Sequence, residues 1–228
     1  MKIGIIVLCR FNSSRLPGKI LKEIEGKYVL TYILERLENS DYSEGVVVAT
    51  STSASDDPIA EYCQKNSINL FRGSLENVSD RFAQCAKQND FEYAVRVNGD
   101  NLFTDARLVD QGVEIAVDGQ YDFVSNVNNR TYPTGMSVEV VKTSFYLNLL
   151  DSFDSPTYRE HVTSWLYEHP DSGLYKYFYN ESMVAAHGLK LALDCEEDLN
   201  FVSLLLRNMD KPHTEYSWQE IVKLVANE

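Results

Sequence analysis

The chain has 228 residues, 44% of them hydrophobic, and a formal net charge of −13. That is enough apolar material for one sizeable core and fits one α/β domain. The acidity argues against a general nucleic-acid or anionic-membrane surface, which needs a basic face. Four cysteines, Cys9, Cys63, Cys85 and Cys195, are widely spaced with no C-x-x-C pair, as expected of reduced, mostly buried thiols in a cytosolic protein. The apolar runs fall far short of the ~20 residues a membrane span needs. The run from Ile3 to Leu8 is too short for the core of a signal peptide.

That run reads as a buried strand of a parallel sheet. It opens into Cys9-Arg10-Phe11-Asn12-Ser13-Ser14-Arg15-Leu16-Pro17-Gly18-Lys19, a loop suited to an anion. Arg10 and Arg15 carry planar donor forks that match phosphate oxygens, and Lys19 is a mobile point charge. Ser13, Ser14 and backbone N–H groups add neutral donors, and Gly18 permits close backbone approach. The G-x-x-x-x-G-K-[ST] spacing of a Walker A loop is absent. Leu30, Ile33, Leu34 and Leu37 then recur at helical spacing and predict a helix over 27–39. Val46-Val47-Val48-Ala49 is a second buried strand, and Ser55-Asp56-Asp57-Pro58 predicts a helix start with an aspartate cap. Strands are expected over 68–71, 93–97 and 121–125, and helices over 77–89 and 105–117. This β-α alternation predicts a three-layer α/β/α fold around a mostly parallel, Rossmann-like sheet.

From Asn126 the rhythm breaks. A loop through Tyr132 and Pro133 precedes a strand over 137–141, helices over 143–152 and 156–169, and strands over 174–179 and 189–193. Helices over 196–208 and 217–225 complete the chain. No Gly-, Ser- or Pro-rich linker divides it, so the expectation is one domain, with about 126–188 as a small inserted lobe or subunit contact. Ligands of such sheets sit beyond the carboxyl ends of the strands. Arg10 and Asp100 both fall just past strand ends, and Asp194 is expected at another. Two carboxylates on one rim can bind Mg²⁺ together with phosphate oxygens and water. Each acid is equally readable as a turn or cap, and the run Glu196-Glu197-Asp198 as acid at a helix N-terminus. His161 and His169 are eight residues apart with no cysteine or close histidine partner, which argues against zinc.

The loop R-x-x-S-x-R-L-P-G-K, complete here from Arg10 to Lys19, resembles the signature of the cytidylyltransferases that make CMP-activated acidic sugars, and most of all their spore-coat-polysaccharide-type branch. The resemblance continues through most of the chain. Val95-Arg96-Val97-Asn98-Gly99-Asp100 is similar to V-x-(Q/T)-G-D, and Leu191-Ala192-Leu193-Asp194-Cys195-Glu196-Glu197-Asp198-Leu199 to V-D-T-P-E-D-L. Phe71-Arg72-Gly73-Ser74, with Asn77, Val78 and Arg81, resembles F-R-G-S-x-x-(D/N)-V-x-x-R. Tyr132-Pro133-Thr134-Gly135-Met136-Ser137-Val138-Glu139-Val140 resembles Y-P-x-G-x-D-V-E-V, with Ser137 in place of the usual aspartate. Arg159-Glu160-His161-Val162-Thr163 matches R-E-H-V-T.

The resemblance implies a nucleotidyltransferase sheet of the GT-A-like kind that transfers CMP from CTP to a sugar hydroxyl. It implies Lys19, Arg10 and Arg15 as catalytic cations, and Cys9, Ser13, Arg72, Ser74 and Asn98 beside them around the nucleotide. Asp100 and Asp194 are implied as Mg²⁺ ligands, and Tyr132, Glu139, Arg159, Glu160 and His161 as sugar-facing. It also implies CTP and an acidic sugar as partners, and a homodimer. The competing reading is a metal-dependent glycosyltransferase that consumes a nucleotide-sugar; Asn98-Gly99-Asp100 lacks the first acid of the D-x-D motif such enzymes carry.

Overall fold

A computed structural model of the chain describes residues 1–226. β1 (Ile3–Leu8) is buried along its whole length. Ile3, Ile5 and Val7 enter one apolar core, and Ile6 and Leu8 enter another on the opposite face, as the period of two requires of a strand covered on both sides. The short strands β2 (Glu23–Ile24) and β3 (Lys27–Tyr28) form a small separate hairpin. The remaining strands are β4 (Val46–Ser51), β5 (Leu70–Gly73), β6 (Tyr93–Asn98), β7 (Phe123–Ser125), β8 (Glu139–Lys142) and β9 (Tyr175–Tyr177). Together with β1 they make one sheet in the order β5-β4-β1-β6-β8-β7-β9. Every pairing is parallel except those of β8, which runs against both β6 and β7.

The helices are α1 (Val29–Leu37), α2 (Asp57–Lys65), α3 (Val78–Gln88), α4 (Ala106–Asp118), α5 (Thr143–Leu149), α6 (Pro156–Glu160), α7 (Ser164–Glu168), α8 (Glu196–Arg207) and α9 (Trp218–Ala226). Residues of α1, α2, α4, α8 and α9 share the core of Ile5 and Val7, and residues of α3, α5 and α7 share that of Ile6 and Leu8. The result is the expected three-layer arrangement. Segment 126–188 is woven into the sheet through β8 and β9 rather than standing apart.

Three local expectations change. Residues 189–193 form no strand: a single bridge joins Lys190 to Thr134, and the Leu193 amide donates to the Asp100 carbonyl at 2.9 Å. The helix expected over 156–169 breaks between α6 and α7, where His161 adopts an extended conformation. Asp56 precedes α2 but its carboxylate does not cap it. It turns inward instead, accepting from the Phe11 amide at 2.7 Å and from Thr50 Oγ1 and the Ser51 amide at 3.0 Å each, as well as from Ser51 Oγ. Burial opposes its charge, but these donors outweigh burial and hold its pKa below the usual carboxylate value.

Candidate active site

The basic loop leaves β1 and doubles back within a few residues. The Gly18 amide donates to the Phe11 carbonyl at 2.8 Å, and Gly18 sits at φ +69°, a conformation that costs a side-chain-bearing residue energy. The turn aims Lys19 at the rim. Lys19 Nζ donates to the Leu193 carbonyl at 2.7 Å and lies 3.3 Å from Asp100 Oδ2 and 3.5 Å from Asp194 Oδ1. Its side chain is only 14% exposed, so this ammonium is fixed between two carboxylates rather than waving in solvent. Arg15 Nη2 reaches Asp194 Oδ1 at 2.8 Å from a mostly exposed position. Arg10 Nη2 meets Glu160 Oε1 at 3.0 Å.

The two acids come from distant segments, and the backbone brings them together. Asp100 follows β6 by way of Gly99, where an added Cβ would stand 2.8 Å from Cys9 Cβ and 3.2 Å from the Leu8 carbonyl. Only glycine lets the ends of β1 and β6 approach so closely. Asp194 is carried by the segment that the Leu193–Asp100 backbone bond fixes to that same turn. Asp198 secures it from behind, accepting from the Asp194 amide at 2.8 Å, the Cys195 amide at 3.0 Å and Lys190 Nζ at 2.6 Å. Burial works against the Asp198 charge, yet these donors pull its pKa down to about 2. Of the acids near the start of α8, therefore, Asp198 does the capping and Asp194 faces Lys19.

These residues border a cleft of about 270 Å³. Cys9, Arg10, Ser13, Arg15, Lys19, Asn98, Asp100, Glu160, His161 and Asp194 all line it. The break between α6 and α7 delivers Glu160 and His161 to its wall. Burial pushes the Cys9 thiol well up, which makes it a neutral wall element and a poor nucleophile.

Other residues singled out in the sequence lie elsewhere. Arg72 turns to the β4–α2 connection, bonding the Ser51 and Ser53 carbonyls and Asp57. Ser74 Oγ accepts from the Asn77 amide in the turn before α3. Tyr132 is a core residue packed edge-on against Phe178 and Trp218. Arg159 donates to the Phe153 carbonyl. Glu139 is buried below the cleft surface and pairs with Arg96.

Two further arginines line the cleft instead: Arg81 from α3 and Arg96 from β6. Arg81 is buried, with Nη1 on the Ser74 carbonyl at 2.9 Å and Nε without a partner. Burial draws its pKa down. Both lie within the sequence motifs quoted above, Arg81 on a helix and Arg96 on a strand, and spacing alone does not say which arginine of a motif reaches the rim. A second hollow, of about 510 Å³, borders Arg36 and Lys211. Two of its three cations are already engaged: Arg36 bonds the Thr104, His213 and Tyr216 carbonyls, and Lys211 pairs with Glu220 at 2.7 Å, while the third, Arg107, is exposed.

A mostly parallel sheet with a basic loop after its first strand and two carboxylates on the same rim is an arrangement of the nucleotidyltransferase class of α/β folds, one that metal-dependent glycosyltransferases share. A family model described as cytidylyltransferase matches residues 4–201, and the chain belongs to that family. It is therefore a nucleotidyltransferase whose class of reaction is cytidylyl transfer, which sets aside the glycosyltransferase reading. An uncharacterised protein of Methanocaldococcus jannaschii is 33% identical over 212 residues, spanning 92% of this chain and 85% of the relative. The spore coat polysaccharide biosynthesis protein SpsF of Bacillus subtilis is 28% identical over 231 residues, spanning 98% of this chain and 93% of the relative. Among solved structures, a cytidylyltransferase from Leptospira borgpetersenii superposes with a TM-score of 0.93 at 28% identity, covering 100% of this chain and 94% of the other. A CMP:2-keto-3-deoxy-manno-octonic acid synthetase solved with CTP shares the fold, with a TM-score of 0.70 at 16% identity and coverage of 91% and 99%. Among the described residues no helix is long and apolar enough to cross a membrane.

Proposed function

We propose that this chain transfers CMP from CTP to a hydroxyl of an acidic sugar of the ulosonic or nonulosonic type. It releases pyrophosphate and serves surface-polysaccharide biosynthesis in the cytoplasm. The observation that carries the reading is the meeting of Lys19 with Asp100 and Asp194 beside Arg15 and Arg10. The spore-coat name of one relative and the bound CTP of one structural neighbour support it.

In the free protein each of these cations rests on a carboxylate or carbonyl oxygen. A triphosphate would take over those contacts, so its binding is an exchange of oxygens rather than a burial of bare charge. The acceptor oxygen then bonds to the α-phosphorus as the bond to the bridging oxygen of pyrophosphate breaks. The hydroxyl's proton passes to water in the open cleft, and the electron pair of the breaking bond leaves with pyrophosphate, on which negative charge gathers. Fixed cations placed where that charge grows are what lower such a barrier; no covalent nucleophile is needed.

Asp100 and Asp194 fit Mg²⁺. Both carboxylates open onto the cleft and already share one cation. Among the described residues no group of three or more His, Cys, Asp or Glu side chains gathers as a metal site. The remaining positions would fall to phosphate oxygens and water, the set Mg²⁺ prefers. When bound, the ion would lower the pKa of the attacking hydroxyl and offset charge at the α-phosphate.

The experiment is a pyrophosphate-release assay that crosses four nucleoside triphosphates with a panel of sugar acids, neutral sugars and sugar phosphates. Release with CTP and a sugar acid supports the reading. Release only with another triphosphate, or only with sugar phosphates, overturns it. A homodimer is part of the proposal, and sedimentation of the purified chain checks it.

A further inference from the structure

Glu139 stands in the segment that resembles a sugar-facing stretch, yet its carboxylate is buried and its side chain only 3% exposed. It accepts from Arg96 Nη1 through Oε2, and through Oε1 from Thr163 Oγ1 at 2.7 Å and Tyr167 OH at 2.7 Å. Ser125 Oγ lies 2.6 Å from that same phenol oxygen. Burial and the charge of Glu139 push the Tyr167 phenol well up, so it stays a donor. Glu139 is thus fully occupied below the surface, and the group it positions is Arg96.

Arg96 lies on β6 two residues before Asn98, on the same face of the strand, and both line the cleft. Its side chain is 17% exposed. Nη1 is held by Glu139 and lies 3.4 Å from Thr163 Oγ1, and Nε is sealed inside the protein, so the donor left for a ligand in the cleft is Nη2, which has neither a protein acceptor nor that burial. A guanidinium carries five N–H donors in a fixed fork, so a rigidly held one with donors to spare in a cleft wall is built to receive an acceptor. Thr163, two residues past His161, touches both members of the pair. That contact places Arg96 in the part of the wall formed by the R-E-H-V-T segment. The loop cations come from the other side of the rim, after β1. All three already face the triphosphate in the proposed reaction; of the two other cleft arginines Arg81 is only 2% exposed, which leaves Arg96 as the one open to the second substrate.

We infer that Arg96, positioned by Glu139, binds the carboxylate of the acceptor sugar; this rests on the function proposed above. One buried carboxylate already balances the charge of Arg96. A planar monoanion can share the fork, whereas a phosphate dianion would bring two more negative charges against Glu139. The arrangement therefore selects sugar acids over sugar phosphates.

The test uses the purified full chain, CTP, and 3-deoxy-manno-octulosonate or N-acetylneuraminate, whichever the wild type turns over, each with its methyl ester. Arg96→Gln alone strands Glu139, so the decisive variant is Arg96→Gln with Glu139→Gln, which removes both charges together. Its acceptor KM is expected to rise roughly ten- to a hundredfold, the usual worth of hydrogen bonds to a charged group, with the CTP Kd within twofold of wild type by calorimetry. The wild type should lose a similar factor on the ester, and the double variant should no longer distinguish acid from ester. Glu139→Gln alone should raise acceptor KM less, with kcat little changed, and Arg96→Lys should fall between wild type and Arg96→Gln. An unchanged acceptor KM, or a rise in CTP Kd that accounts for the whole effect, overturns the inference. A wild type that turns over no sugar acid overturns the functional reading instead, and that result is in hand before any variant is made.

Discussion

Lys19→Ala separates the chemistry of the site from its stability. The substitution removes the 2.7 Å bond to the Leu193 carbonyl and both ion pairs, to Asp100 and Asp194. The hydrogen bond is worth about 1 kcal/mol net. Leaving two acids without their shared cation adds a comparable amount, so the fold loses about 1–2 kcal/mol in all. For a chain of this size that lowers Tm by roughly 2–8 °C. The effect on turnover is of a different order. Loss of a fixed donor aimed at developing charge costs about 2.7–4 kcal/mol, or ~10²–10³ in kcat. Pyrophosphate release at saturating CTP and sugar acid reads kcat, and a thermal melt reads stability. Lys19→Arg, which keeps the charge and changes the reach, should recover only part of the rate. A folded Lys19→Ala enzyme with half the wild-type kcat would mean that the ammonium between the two acids is a structural counter-ion, and the proposed centre would fall.

Four other perturbations have expected outcomes. Chelation should abolish pyrophosphate release and added Mg²⁺ restore it, while Asp100→Asn should cut kcat by ~10²–10³ without lowering Tm by more than a few degrees. An Asp100→Asn enzyme as fast as wild type would sink the metal assignment. Asp56→Asn should cost about 2–4 kcal/mol, because an amide offers a donor where the carboxylate meets only donors, and should raise the CTP KM by loosening Phe11 beside Arg10. The folded pKa of Asp56 lies below its unfolded value, so its contribution is present above the ordinary carboxylate pKa near ~4 and is lost as pH falls through the folded value; the variant should show a shallower loss of stability on acidification below about pH 4. Gly99→Ala should displace Asp100 from Lys19 through the 2.8 Å clash with Cys9 Cβ and reduce kcat about tenfold or more, which single-turnover kinetics would detect.

Much of this is legible in the sequence. The short apolar runs of β1 and β4 and the β-branched run of β6 read as strands covered on both faces, and parallel strands put their carboxyl ends on one rim. From that alone Arg10 and Asp100 belong together. The direction each side chain takes is not readable there. Arg72 and Arg81 sit in one motif, yet the first braces the β4–α2 connection and the second lines the cleft. Glu139, expected to face the sugar, is buried against Arg96 because the pairing of β6 with β8 sets the two opposite each other, a register that no local pattern encodes. The break after Glu160 was hidden by an otherwise helical sequence. It follows from tertiary contacts: Thr163 Oγ1 bonds Glu139, and the Val162 carbonyl accepts from the Tyr146 hydroxyl.

The amide-to-carbonyl link from Leu193 to Asp100 has a bearing on biosynthesis. Ribosomes deliver the chain from its N-terminus at about 5–20 residues per second, so the loop after β1 and the turn after β6 are exposed well before Asp194 emerges. During that interval Lys19 has one of its two acidic neighbours. A nascent or prematurely terminated chain that stops short of residue 194 thus carries the basic loop without its second acid, and on the proposed mechanism it would become competent only once the distal segment docks on the turn after β6.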